Sequence, residues 1–189
     1  GQPLSGLDKS FKNFVTGSFL KIRGVPIPNY VWYACVVVVF MWFMWNKTTF
    51  GKNMFAVGSN PEAANVSGVN VMRTTILVHT LAGCMYGITG FIESARIGSN
   101  QANTGLNYEC DAIAACVIGG VSMSGGRGTV VGAFLGSIIL ATIAKALPLV
   151  GISSLWQNMI KGVIILVVVV INVILQRIAD KNALKGREM

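Results

Sequence analysis

The groups able to make or break bonds are few and scattered. The chain has one histidine, His79, four cysteines and seven carboxylates. Cys35, Cys84, Cys110 and Cys116 form no CxxC pair, and His79 stands far along the chain from Cys110 and Cys116. Metal-ligating or nucleophilic sets need such groups gathered with their partners. The cysteines therefore read as small buried hydrophobes, and no catalytic residue, metal site or cofactor is expected in this chain. The glycine cluster S-G-G-R-G-T at Ser124–Thr129 lacks the Lys-Ser/Thr ending of a phosphate loop, as does Phe50-Gly51-Lys52-Asn53. The first reads as a tight turn.

What remains suits recognition. Asn60-Pro61-Glu62-Ala63-Ala64 reads as a helix start, with Asn60 as N-cap, Pro61 at the first helical position and Glu62 in the first turn. Gly68 supplies the stop. A short exposed helix between apolar segments is a docking surface for a soluble partner, with Glu62 able to pair with a base there; the plain alternative is an ordinary loop helix. Glu109 and Asp111 open a short apolar segment. Carboxylates suit a helix N-terminus, and at membrane depth polar groups mark pathways. Gln157 beside Trp156 opens the last apolar run and joins them as a pathway candidate; Trp156 suits an interface anchor. For His79 an interhelical hydrogen bond is expected. Lys145 and Lys161 are expected to snorkel from near helix ends.

The elements that hold these residues are set by composition. The chain is 53% hydrophobic and 12% charged, against about 25% charged in soluble domains, so lipid is the expected solvent. The net charge of +8 comes from bases set singly between apolar runs. That is the pattern of membrane flanks, not a nucleic-acid stripe. The start is polar with no signal peptide and no initiator Met, and the chain is expected to be a piece of something longer. The expected fold is an all-α polytopic bundle with about five spans, near 30–45, 74–92, 109–121, 129–147 and 155–175. The third is short or broken. Residues 1–29 would lie outside, 30–176 would form the transmembrane domain, 46–73 a cytoplasmic loop with a short helix, and 177–189 a basic cytoplasmic tail. Lys47, Lys52, Arg73 and Arg127 support that orientation, whereas Lys9, Lys12, Lys21 and Arg23 run against it. Gly132 and Gly136 offer a small face for helix packing.

Three well-spaced runs carry a resemblance: G-K-N-M-F-A-V-G-S-N-P-E-A-A-N-V-S-G-V-N-V from Gly51, Y-E-C-D-A-I-A-A-C-V-I-G-G-V-S-M-S-G-G-R-G-T-V-V-G from Tyr108, and G-I-S-S-L-W-Q-N-M-I-K-G from Gly151. Together they resemble permease subunits of bacterial ABC sugar importers of the ribose/galactose/xylose group. Arg96–Ser99 and Asp111–Ser122 look most like the galactose/methyl-galactoside permease, with Cys110 where the family commonly has Leu. The resemblance covers about residues 20–177 and implies the C-terminal half of a multi-pass inner-membrane permease. It implies that Glu62, Ala63, Ala64 and Gly68 belong to a coupling helix seated on a separate ATP-binding subunit. It further implies a periplasmic sugar-binding protein and a second permease copy as partners. The rival reading is an ion-coupled secondary transporter needing no ATPase, which would pair ionisable residues in mid-span. A non-transporting membrane scaffold is a third reading, with no reason to carry a broken span.

Overall fold

The fold is that of a computed structural model, which describes residues 4–5, 8–22, 25–101 and 103–185. It divides into two compact units, residues 1–106 and 107–189.

In the first unit, β1 (Leu4–Ser5) is followed by α1 (Lys9–Thr16), the hairpin strands β2 (Ser18–Ile22) and β3 (Val25–Pro28), and α2 (Asn29–Lys47). Then come α3 (Thr49–Ser59), α4 (Pro61–Val66), α5 (Val71–Ile97) and β4 (Ser99–Asn100), which pairs antiparallel with β1. The bundle is helical, but the segment expected to be a plain outer stretch, 1–29, holds α1 and the hairpin. Asp8 starts α1 by accepting the Ser10 amide at 3.0 Å. Phe11 of α1 meets Phe91 of α5 edge-on at 4.9 Å, and Phe14 stacks on Tyr33 of α2 at 5.6 Å. The Tyr33 hydroxyl donates to the Phe14 carbonyl at 3.0 Å. Thus α1 binds the start of α2 and the end of α5, whereas α3 joins the opposite ends of both.

α2 is apolar around its whole circumference and buries none of its residues. Val36, Val39 and Phe43 are all more than half exposed. A helix of that kind belongs in lipid or against other chains. α5 runs well beyond the expected 74–92 because its added turns are polar. A bidentate Glu93–Arg96 pair, at 2.6 and 2.8 Å, supports its last turn. Gly98, with φ 73°, closes it.

The second unit contains α6 (Tyr108–Ile118), α7 (Val130–Leu149) and α8 (Ser154–Lys185). Its core is Ala114, Ala115 and Leu140, with Ile118 and Ile165 packed against them. α6 and α7 run antiparallel at backbone contact. A β-carbon on Gly136 would strike the Ala115 carbonyl oxygen, and one on Gly119 would strike the carbonyl of Gly132. This is the close approach that small residues permit. The glycine cluster between them is a turn, as expected, with the Ser122 amide donating to the Arg127 carbonyl at 2.9 Å.

Among the described residues three helices are long and apolar enough to cross a membrane: α2, α5 and α7. α8 contributes the apolar stretch Met159–Ile174 and continues as helix to Lys185, so the expected tail begins as an extension of the last helix. α6 has 11 residues, a length of about 16 Å. That is half of the ~30 Å hydrocarbon layer. The chain is thus a polytopic helical membrane protein in which three spans are clear among the described residues. Cys35, Cys84 and Cys110 prove exposed and Cys116 half-buried, so the expectation of buried cysteines fails. The three exposed cysteines sit on faces left largely uncovered by the described residues.

A matched pair of substitutions tests the crossing. Gly136→Ala should lower stability by about 1–3 kcal/mol through overpacking. Gly87→Ala on α5, where a β-carbon meets open space, should gain about 0.5–1 kcal/mol from helix propensity. Thermal unfolding of the detergent-solubilised protein reads both, and equal effects would contradict the packing.

Candidate functional site

The segment between α2 and α5 is built as two capped helices, where the sequence suggested a polar loop carrying one. Thr48 ends α2 and begins α3. Its hydroxyl donates back to the Met44 carbonyl and accepts the Gly51 amide at 3.2 Å. Gly51 is buried because α3 turns tightly over the end of α2, leaving no room for a β-carbon beside the Trp45 carbonyl. Asn60 joins α3 to α4. Its amide donates to the Ala56 carbonyl at 3.1 Å, closing α3, while its side-chain oxygen accepts the Ala63 amide at 3.0 Å, opening α4. Pro61 follows at the first helical position, as its fixed φ favours.

Gly68 ends α4 with φ 84°. The Gly68 amide donates to the Asn65 carbonyl and the Val69 amide to the Ala64 carbonyl, both at 3.0 Å. This paired closure needs a left-handed residue at that position. Asn70 then caps α5 by accepting the Arg73 amide at 2.8 Å. From Lys47 to Arg73 the chain is thus almost continuously helix or cap, with Gly68-Val69 as the turn into α5.

The predicted docking residues divide between two faces. Ala64 is turned inward and buried, so it serves the fold. Asn60, Pro61, Glu62, Ala63 and Gly68 are exposed. Val66, unremarked in the sequence, is 89% exposed. Glu62, Ala63 and Val66 share one outward face by helical spacing. Beside them a cleft of about 470 Å³ is lined by Thr49, Phe50, Asn53, Gly68, Asn70 and Arg73, among others. Lys52 is exposed nearby on α3. The surface therefore combines one acidic group, one apolar knob and a basic flank. Sequence reasoning missed Val66 because a valine in a short helix is ordinarily packed; only the fold of α3 and α5 beneath α4 leaves it outside.

The pathway candidates separate. Glu109 and Asp111 both lie in the first turn of α6. Glu109 is exposed, whereas Asp111 faces Lys161 of α8 at 3.3 Å. The side chain of Gln157 lies outside the described residues. His79 is exposed on α5, and its Nδ1 lies 2.9 Å from the Thr75 carbonyl. A carbonyl only accepts, so Nδ1 donates. The bond is within one helix, not between helices as expected. Among the described residues no group of three or more His, Cys, Asp or Glu is gathered to hold a metal ion.

The family described as "Branched-chain amino acid transport system / permease component" matches residues 3–169. The chain belongs to this permease family. It is 46% identical over 172 residues to the galactose/methyl galactoside import permease protein MglC of Haemophilus influenzae, covering 91% of this chain and 51% of that one. To MglC of Escherichia coli it is 47% identical over 170 residues, 90% of this chain and 50% of the relative. To the ribose import permease protein RbsC of Bacillus subtilis it is 39% identical over 174 residues, 91% and 52% of the two chains. The permease chain thus spans about half the length of the curated relatives it matches. No solved structure matches it significantly.

Removal of the shared cap should loosen the segment between α2 and α5. Asn60→Ala should cost about 1 kcal/mol, speeding amide hydrogen exchange at Ala63 and Ala64 about fivefold. Asn60→Asp, an equally good cap, should leave exchange unchanged.

Proposed function

We propose that this chain is about half of the permease subunit of an ATP-driven bacterial importer that forms the translocation pathway for a monosaccharide. Galactose or methyl galactoside is the favoured cargo, with ribose or xylose next. The observation that carries the reading is the 46–47% identity to galactose/methyl galactoside import permeases over nine-tenths of the chain. Two permease copies would form the pathway in the inner membrane. A separate ATP-binding subunit would supply hydrolysis and a periplasmic sugar-binding protein the cargo.

The geometry of α3 and α4 fits this role. α1 touches the start of α2 and the end of α5, while α3 touches their other ends. At about 28 Å and 40 Å, α2 and α5 each cross the hydrocarbon. This supports residues 1–29 outside and 46–73 inside, where Lys47, Lys52 and Arg73 obey the positive-inside bias. α6, too short to cross as a regular helix, would be part of the short, broken crossing near 109–121. With α7 and α8 that gives five spans and brings 177–189 back to the inner side. Non-helical backbone at membrane depth is tolerated where it lines a cavity, which supports Glu109, Asp111 and Gln157 near the pathway.

The mechanism follows from stiffness. The ATP-binding subunit would grip Glu62, Ala63 and Val66, with acidic groups of its own against the basic cleft. ATP binding and hydrolysis would displace α4. Since α3 is clamped over the end of α2 and Asn70 caps α5 directly, displacement passes to both spans. Rocking of the spans would expose the pathway first to the loaded binding protein outside and then to the cytoplasm. The ion-coupled alternative would use His79 as its proton carrier, yet that ring faces away from the rest of its unit and bonds its own helix.

Deletion of the complete gene, with binding protein and ATPase intact, should abolish high-affinity uptake of labelled galactose. Unchanged uptake would send the assignment to ribose and xylose, and failure with all three would sink the importer reading. In the intact complex, Glu62→Lys and Val66→Asp should each weaken co-purification of the ATP-binding subunit about tenfold. Retention at wild-type level would remove α4 as the docking element.

A further inference from the structure

Two polar ties fasten α6 to α8. Lys161 Nζ lies 3.3 Å and 3.5 Å from the two carboxylate oxygens of Asp111. The Asn172 amide donates to the Val117 carbonyl at 3.2 Å. Between them Ile165 packs on Ala114 and Ala115. The order of these contacts makes α6 and α8 parallel. Lys161 stands seven residues beyond Ser154, the first residue of α8, about 10 Å along the helix. Its ammonium is paired with Asp111 rather than free to snorkel as its sequence position suggested. Its side chain is 21% exposed and that of Asp111 is 39% exposed.

Charges within membrane segments persist where they are paired. The far end of α6 is held independently, by backbone contact of Gly119 with Gly132 on α7. Its open end, where Glu109 and Asp111 stand, has the Lys161 ammonium as its tie. Asp111 is not enclosed by the pair: one side of the carboxylate stays accessible.

We propose that Lys161 is a positioning residue for translocation: through Asp111 it holds the open end of the broken helix α6 at the edge of the pathway. The inference rests on the permease reading above. Sugar recognition is assigned there to the binding protein and energy input to α4, so the pair governs the rate of passage rather than apparent affinity.

The test uses the full-length permease with its binding protein and ATPase. Uptake is measured against sugar concentration for Lys161→Met, Asp111→Asn, Lys161→Arg and the charge swap Asp111→Lys with Lys161→Asp. Membrane abundance and unfolding temperature are measured for each. Each neutral single variant should lower maximal uptake about tenfold or more, with KM within about twofold. Lys161→Arg should keep about half of it, and the swap should recover about fivefold over either single. Wild-type maximal uptake in Lys161→Met overturns the proposal, as does a swap that reaches the membrane in full yet transports no better than the singles. Where the singles or the swap fail to accumulate, Lys161→Arg decides: retained uptake supports the proposal, and lost uptake at full abundance overturns it. Failure of the wild-type complex to import galactose, ribose or xylose would sink the importer reading instead. The unfolding temperatures would then still report on the pair, lowered in the singles and restored in the swap if it exists.

Discussion

Hydrocarbon offers no hydrogen bonds, so helix ends are closed by protein groups wherever they can be, although α2 and α6 open without a side-chain cap. Thr48, Asn60, Asn70 and Thr129 each accept an amide from the first turn of the helix they open. At the break after α6, the Gly120 amide reaches the Val117 carbonyl and the Val121 amide the Cys116 carbonyl, both at 3.0 Å. Serine and threonine hydroxyls along α5 and α7 bond carbonyls one turn back. The fold is in this sense a set of self-satisfied rods, and its surfaces are left free to be apolar.

Packing inside each unit is correspondingly sparse and specific. Few side chains are buried at all, and those that are tend to be small: Ala64, Ala95, Ala114 and Ala115 among them. Large apolar residues point outward along α2, α5, α7 and α8. Between membrane helices burial of apolar surface brings little, because lipid is as apolar as leucine. Close backbone approach and polar ties take over. α6 uses both, lying against α7 through glycine and against α8 through Lys161 and Asn172. The short helix is therefore located by contacts on two flanks, where a full-length span would be located by its own length.

The same economy shapes the lever at α3 and α4. A flexible loop would absorb a push from a partner. Here the turn at Asn60 serves two helices at once, and Gly51 lets α3 press on the end of α2. Rigidity comes from capping rather than from a core. Its outer face is consequently free for recognition, and the residues that face it are an acid, an alanine and a valine. Lys47 stands 6.0 Å from the Trp42 ring at the foot of α2, an arrangement that suits the boundary between lipid and headgroups.

Much of this was legible in the chain alone, because it is written in local rules. Apolar run lengths predicted α2, α5 and α7; the Asn-Pro-Glu start and the Gly68 stop predicted α4; the glycine cluster predicted the turn before α7. These depend on residues within a turn or two of one another, so a linear reading reaches them. The second capped helix α3 escaped notice because its polar surface resembles a loop until Thr48 and Asn60 are seen to close both its ends. Which residues face which was decided only by tertiary structure. Ala63 and Ala64 are identical neighbours, yet one is exposed and the other buried beneath α4. Asp111 and Lys161, fifty positions apart, read as a helix-start carboxylate and a snorkelling base. They meet because Gly119, which caps α6, and Gly132 and Gly136 of α7 bring those helices together while Asn172 ties α8 to α6, and no single segment of sequence contains that geometry.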